Sequence, residues 1–278
     1  MTYVRGIRSS QPRIGARKMH SMLVSIFEEN GIKMGRDKFF ALLKENGLLV
    51  KPRRRKKITT DSNHVYRRYP NIIRKYVPSG PEQIWASDIT YVSTEQGFVY
   101  VSLVTDQYSK KIMGYHVHPT LEAQGPLEAL RMAMKNRCHD ETNLIHHSDR
   151  GIQYCCEAYV NLLKRSNIHV SMSAPGNPYE NAVAERVNGI LKNEFYLDSH
   201  FTTIKQVSRT LRESVAVYNN NRPHASCDYL TPEQAHQQHG ILKKRWKSYK
   251  VTPPKYIVPE DVKTALKQLT RKCLLNLV

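Results

Sequence analysis

The feature that most constrains this chain is a change of hydrophobic period near Ile84. From there, residues 84–92, 98–105 and 112–118 form three short runs rich in β-branched and aromatic side chains, the composition of strands. Gly97 and the Ser109-Lys110-Lys111 segment supply turns between them, so the three runs read as an antiparallel meander. A helix is expected over 121–137, a strand over 144–147, a helix over 155–166 and a strand over 168–172. The loop 175–178 and two long helices, 181–196 and 203–220, complete the series. The expected class is α/β, a mixed five-stranded sheet flanked by helices.

Upstream of this region the pattern is helical. Apolar residues Ile14, Met19, Met22, Leu23, Ile26 and Phe27 recur close to helical spacing, and Phe39, Phe40, Leu42 and Leu43 repeat the pattern. Asn30-Gly31 and Asn46-Gly47 stop the two helices. The pair suits a helix-turn-helix and equally a plain helical hairpin. Lys51-Pro52-Arg53-Arg54-Arg55-Lys56-Lys57 follows. Repulsion and Pro52 make it a poor helix and a good tether, both a phosphate-binding arm and a solvated linker. Boundaries are expected at 1–58 (helix-turn-helix with basic linker), 59–80 (linker), 81–235 (catalytic core) and 236–278 (basic extension). A last amphipathic helix is expected over 260–275.

Composition narrows the partners. Lys and Arg total 43 against 24 Asp and Glu, a formal net charge of +19. Self-repulsion on that scale calls for a polyanion, and nucleic acid is the leading partner. No run approaches 18 apolar residues, so no membrane span is expected. The N-terminus lacks the apolar stretch of a signal peptide, which points to the cytoplasm. The five cysteines are odd in number and include no CxxC pair, against a disulfide framework or a cysteine-rich zinc site.

Three acids stand out by context. Asp88 lies inside an otherwise apolar strand, where a carboxylate is costly unless paired or metal-bound. Asp149 ends a strand, the place where α/β domains bind ligands. Glu185 falls in the first turn of a helix, with 35 residues between it and Asp149. Each has an ordinary reading: a strand Asp that binds a buried Arg, a turn cap, a complement to a helix N-terminus. Together their order, element types and spacing point to a shared carboxylate site.

The element order β-β-β-α-β-α-β-α is that of a ribonuclease-H-like domain, and the motifs carry the likeness further. WASDITY at 85–91, HSDRGIQY at 147–154, PGNPYENAVAE at 175–185, LKNE at 191–194, YNNNRPH at 218–224 and LTPE at 230–233 occur in order. With the exit GLLVKPRRR at 47–55, they resemble the OrfB-type transposases of bacterial insertion sequences. That family belongs to the DDE transposase and retroviral integrase superfamily. The likeness covers about residues 13–235. One position departs: the family has Asp-Asn-Ala before its catalytic Glu, and this chain has Glu180-Asn181-Ala182. Glu185 keeps both the interval to Asp149 and a Lys seven residues later.

The resemblance implies that Asp88, Asp149 and Glu185 are catalytic and hold two Mg²⁺ ions, with Mn²⁺ as substitute. Such ions stand about 4 Å apart, one activating water or a 3′-hydroxyl and the other stabilising the leaving 3′-oxygen. It implies DNA cleavage and strand transfer on element ends and target, as a dimer or higher oligomer on DNA, with an upstream-frame product as a further partner. Lys192 is expected to share the Glu185 face and contact DNA. Asn181 either contacts DNA or positions the Glu185 helix. His147 is a supporting group or a buried polar residue, Arg222-Pro223-His224 a DNA contact or a cap, and Trp85 core. A catalytically silent helix-turn-helix regulator is the alternative reading. A plain ribonuclease-H-type nuclease would use four carboxylates, and a structural nucleoid protein leaves the buried acids unexplained.

Overall fold

The computed structural model describes residues 1–50, 65–74, 76–139, 143–174 and 178–245. The tether at Arg53, Arg54, Arg55, Lys56 and Lys57 lies outside them, as do the loop 175–177 and the helix expected over 260–275. No helix among the described residues is long and apolar enough to cross a membrane.

The N-terminal segment forms α1 (Thr2–Ser10), α2 (Ala16–Glu29) and α3 (Arg36–Glu45). The two glycine stops hold. Gly31 and Gly47 both adopt φ +66, the left-handed conformation that glycine takes at least cost after a helix. Ile32 then bonds back to Phe27 O at 2.8 Å, and Leu48 to Leu43 O at 2.8 Å. An additional helix, α1, buries Val4. Val4, Ile14, Met19, Leu23, Phe39 and Leu43 form a core belonging to this unit alone.

Beyond it lie β1 (Ile84–Thr94), β2 (Gly97–Asp106), β3 (Ile112–His118), α4 (Gln124–Lys135), β4 (Ile145–Ser148), α5 (Ile152–Cys155), α6 (Glu157–Arg165) and β5 (His169–Met172). A 3₁₀ turn, Pro178–Asn181, leads into α7 (Ala182–Glu194), α8 (Ile204–Asn221) and α9 (Pro232–His236). The helix expected over 155–166 is α6, which starts after Cys156 because that residue is extended at φ −64, ψ 150; α5 is a separate short helix before it. The sheet order is β3-β2-β1-β4-β5. β1–β2 and β2–β3 are antiparallel, β1–β4 and β4–β5 parallel.

Alternation sorts β2 into two layers. Val99, Val101 and Leu103 pack with Val187 and Leu191 of α7 and Leu211 and Val215 of α8. Val104 packs on the opposite layer with Trp85, Leu130 of α4 and Tyr159 and Leu163 of α6. On β3, Gly114 lies so close to α4 that a Cβ there would meet Ala129 O at 2.0 Å and Ala133 N at 2.6 Å.

Candidate active site

The strand register creates the site. Ala86 pairs with His147 in the parallel β1–β4 ladder. Two residues further along the same direction on each strand stand Asp88 and Asp149, so the ladder sets the two carboxylates side by side at its open end. Side-chain alternation then decides which face each β1 residue serves. Ser87 points into the α6 layer, where its hydroxyl meets His146 Nε2 at 2.7 Å; that nitrogen also meets the Tyr159 hydroxyl at 2.9 Å. Asp88 points the other way, toward α7, and its Oδ2 accepts a bond from Asn188 Nδ2 at 2.8 Å.

Electrostatics follow from that placement. Burial is the largest influence on Asp88, followed by the charge of Asp149 and, more weakly, that of Glu185. Against the hydrogen bond from Asn188, they raise its carboxyl to about 7. Burial also raises Asp149, opposed by the Gly151 amide, which donates to Asp149 Oδ1 at 2.9 Å. Two half-buried carboxylates, both raised by burial and one of them also by the other's charge, favour a positive charge beside them. Oxygen donors of this kind suit a hard divalent cation, so the residues fit Mg²⁺. Among the described residues no three of His, Cys, Asp and Glu stand close enough together to hold an ion. Glu185 is exposed in the first turn of α7, within electrostatic reach of Asp88.

The neighbouring residues take distinct places. Lys192 Nζ lies 4.4 Å from the centroid of the Tyr91 ring. Burial lowers its pKa, while Asp198 and Asp88 raise it. Asn181 is buried, and its Nδ2 donates to Ser87 O at 2.9 Å. That ties the start of α7 to the residue before Asp88, the positioning half of the two expectations. Glu180 Oε2 accepts from Ala174 N at 2.6 Å and so is engaged by backbone. His147 is buried, with Nδ1 2.9 Å from Ser171 Oγ. Burial holds it neutral, lowered to about 4. Arg222 occupies the C-cap position of α8, but its guanidinium is 1% exposed and engaged by Glu194. His224 is buried against the Tyr218 hydroxyl at 2.9 Å. Trp85 is core.

Asn188 and Tyr91 are the site neighbours that sequence reasoning missed. Asn188 had a legible signal, three residues after Glu185 on one helix face. Tyr91 had none, since its partner is far away in sequence.

Comparison with known proteins bears on the family and the fold. Two family models, each described as an integrase core domain, match residues 78–178 and 166–232. An insertion element IS600 uncharacterized 31 kDa protein of Shigella sonnei is 35% identical over 229 residues, 80% of this chain and 82% of its own. Transposase InsF for insertion sequence IS3A of Escherichia coli strain K12 is 36% identical over 196 residues, 70% of this chain and 68% of its own. In fold, the chain resembles a simian T-cell lymphotropic virus intasome chain, solved in complex with a PP2A regulatory subunit. The TM-score is 0.50 at 17% identity, covering 87% of this chain and 81% of that one. With these family models and relatives in agreement, the chain belongs to the insertion-sequence transposases of the DDE transposase and integrase superfamily.

Proposed function

We propose that this transposase cuts DNA at the ends of its insertion sequence and joins them to target DNA, using Asp88, Asp149 and Glu185. The observation that carries the reading is the β1–β4 register, which sets Asp88 beside Asp149, with α7 presenting Glu185 to the same carboxylate. Two Mg²⁺ ions, or Mn²⁺ in their place, would activate the attacking oxygen and stabilise the leaving one. Asp88, Asp149 and Glu185 would hold them. Asn188 fixes the Asp88 carboxylate, and Asn181 fixes the backbone of β1 under it. Lys192, braced on Tyr91, offers its ammonium to a DNA phosphate.

The reaction is phosphoryl transfer. In cleavage, a water oxygen bonds to phosphorus, the bond from phosphorus to the 3′-oxygen breaks, and that oxygen leaves as a 3′-hydroxyl after taking a proton. In joining, this 3′-hydroxyl attacks a target phosphate and displaces the target's own 3′-oxygen. No covalent bond to the protein forms, so no Ser or Tyr nucleophile is required.

The rest of the chain serves DNA. Residues 1–58 act as the reading head and basic arm, with Arg53, Arg54, Arg55, Lys56 and Lys57 on phosphates. Residues 59–80 act as linker, 81–235 as catalytic core and 236–278 as a basic extension. The net charge of +19 supports polyanion binding. The active species is a dimer or higher oligomer on DNA, assembled with the upstream-frame product, and the protein works in the cytoplasm on the nucleoid.

The test is incubation with labelled element-end DNA and Mg²⁺, with Glu185→Gln beside the wild type. Metal-dependent nicked and joined products are expected, lost at least 10³-fold in the variant while DNA binding persists. Binding without product, also with the upstream-frame segment supplied, would replace this reading with that of a silent regulator.

A further inference from the structure

Two motifs, LKNE and YNNNRPH, have acidic and basic members that the chemistry above does not use. They meet at the far end of α7. Glu194, the last residue of that helix, accepts bonds from Arg222 Nε at 2.8 Å and from the second guanidinium nitrogen at 2.9 Å. The third partner comes from the N-terminal unit: Lys18 of α2 places its Nζ 2.9 Å from Glu194 Oε1. Around this cluster, Arg13 N donates to Glu194 O at 3.2 Å, and Gln11 Nε2 donates to Asn221 O at 3.3 Å. The Arg13 guanidinium lies 5.9 Å from the Tyr196 ring centroid.

These named contacts between the helical unit and the core are polar, and the two buried apolar clusters they link share no residue. An apolar interface tolerates sliding. A partly buried ammonium of the helical unit on a core carboxylate that Arg222 already holds in two-pronged fashion does not. Buried ion pairs are weak sources of net stability, and their best-attested use is to fix register. The fixed object is α7, whose first turn carries Glu185 about 14 Å away along one rigid helix. The face of α3 that bears Asp37, Phe40, Ala41 and Lys44 stays exposed.

We infer that Lys18, Glu194 and Arg222 form a registering joint that sets which phosphate is cut, counted from the sequence read by the helical unit. They are positioning residues, distant from the reacting atoms, and the inference rests on the proposed function above.

The full chain with Lys18→Met, an uncharged side chain of similar length, tests it on labelled element-end DNA with Mg²⁺, the cut positions being mapped at single-nucleotide resolution. In the wild type most cleavage falls at one phosphate. In the variant that share drops several-fold as cuts spread to neighbouring phosphates, while metal-dependent nicking of random-sequence DNA keeps its wild-type rate. Lys18→Arg restores the single position. Amides of residues 11–19 and 190–196 exchange hydrogen faster in Lys18→Met, and those of the sheet do not. A wild-type cut distribution in Lys18→Met overturns the inference, as does a parallel loss of rate on both DNAs with positions unchanged. A wild type that cuts no DNA at all refutes the proposed function instead, and the joint's role in cutting falls with it.

Discussion

At Asp88 a low-dielectric surround and the like charges of Asp149 and, more weakly, Glu185 meet two donors, the Asn188 side chain and the Ile89 amide. Removing the Asn188 donor leaves the carboxylate on the Ile89 amide alone, freer to rotate out of line with its ligand position. Asn188→Ala is therefore expected to lower Mn²⁺ affinity and cleavage rate together, by about 10–100-fold, with the circular dichroism of the fold unchanged. Unaltered Mn²⁺ binding by calorimetry would remove Asn188 from the site. Behind it, His146 and His147 are held neutral by burial, lowered to about 3 and about 4. The unfolded chain protonates both near 6.5, so it binds more protons than the folded one between those limits, and stability falls as pH drops below 6.5. Glu194 adds a later loss. Burial alone would raise it, but Arg222 and Lys18 overcome that and hold it at about 2. Its contribution, full above about 4.5, disappears between 4.5 and 2. Asp88, raised to about 7, works the other way between 7 and 3.8. Urea midpoints measured from pH 6.5 to 3 should therefore show the net decline of two histidines and Glu194 against the Asp88 carboxyl, and midpoints that rise steadily down to pH 4 would contradict the buried neutral histidines.

The elements show how tightly the sheet and helices constrain one another. Gly114 sits where α4 touches β3, and Gly114→Ala would drive a methyl group into the Ala129 carbonyl. A destabilisation of about 1–3 kcal/mol is expected, seen as a Tm lowered by several degrees; an unchanged Tm would mean that α4 can shift at no cost. Much of this architecture was legible in sequence, for stated reasons. The strands of the sheet announce themselves by β-branched composition, and the two glycine stops sit where a left-handed residue is needed. Asp88 and Asp149 were legible because a carboxylate inside or at the end of an apolar strand demands an explanation. Two things were hidden. The separate short helix α5 and the extended Cys156 after it carry no local signal. The fate of Arg222 was invisible because Glu194, 28 positions away, becomes its neighbour only after α7 and α8 pack together.

The molecule as a whole carries its excess positive charge outside a catalytic centre that is itself acidic. A net charge of +19 gathers DNA over a distance, and that attraction weakens with salt. The carboxylates would repel the same phosphates at contact, so divalent ions are what reconcile the acidic site with its substrate. The described residues before Val50 also have an interior of their own, separate from those of the sheet. A chain built in this way can acquire a different reading head by recombination, because nothing in the catalytic interior needs repacking to receive it. Only a handful of polar partners at the seam must be inherited along with the new head. Elements could thus diversify the ends they recognise while the chemistry that mobilises them stays the same.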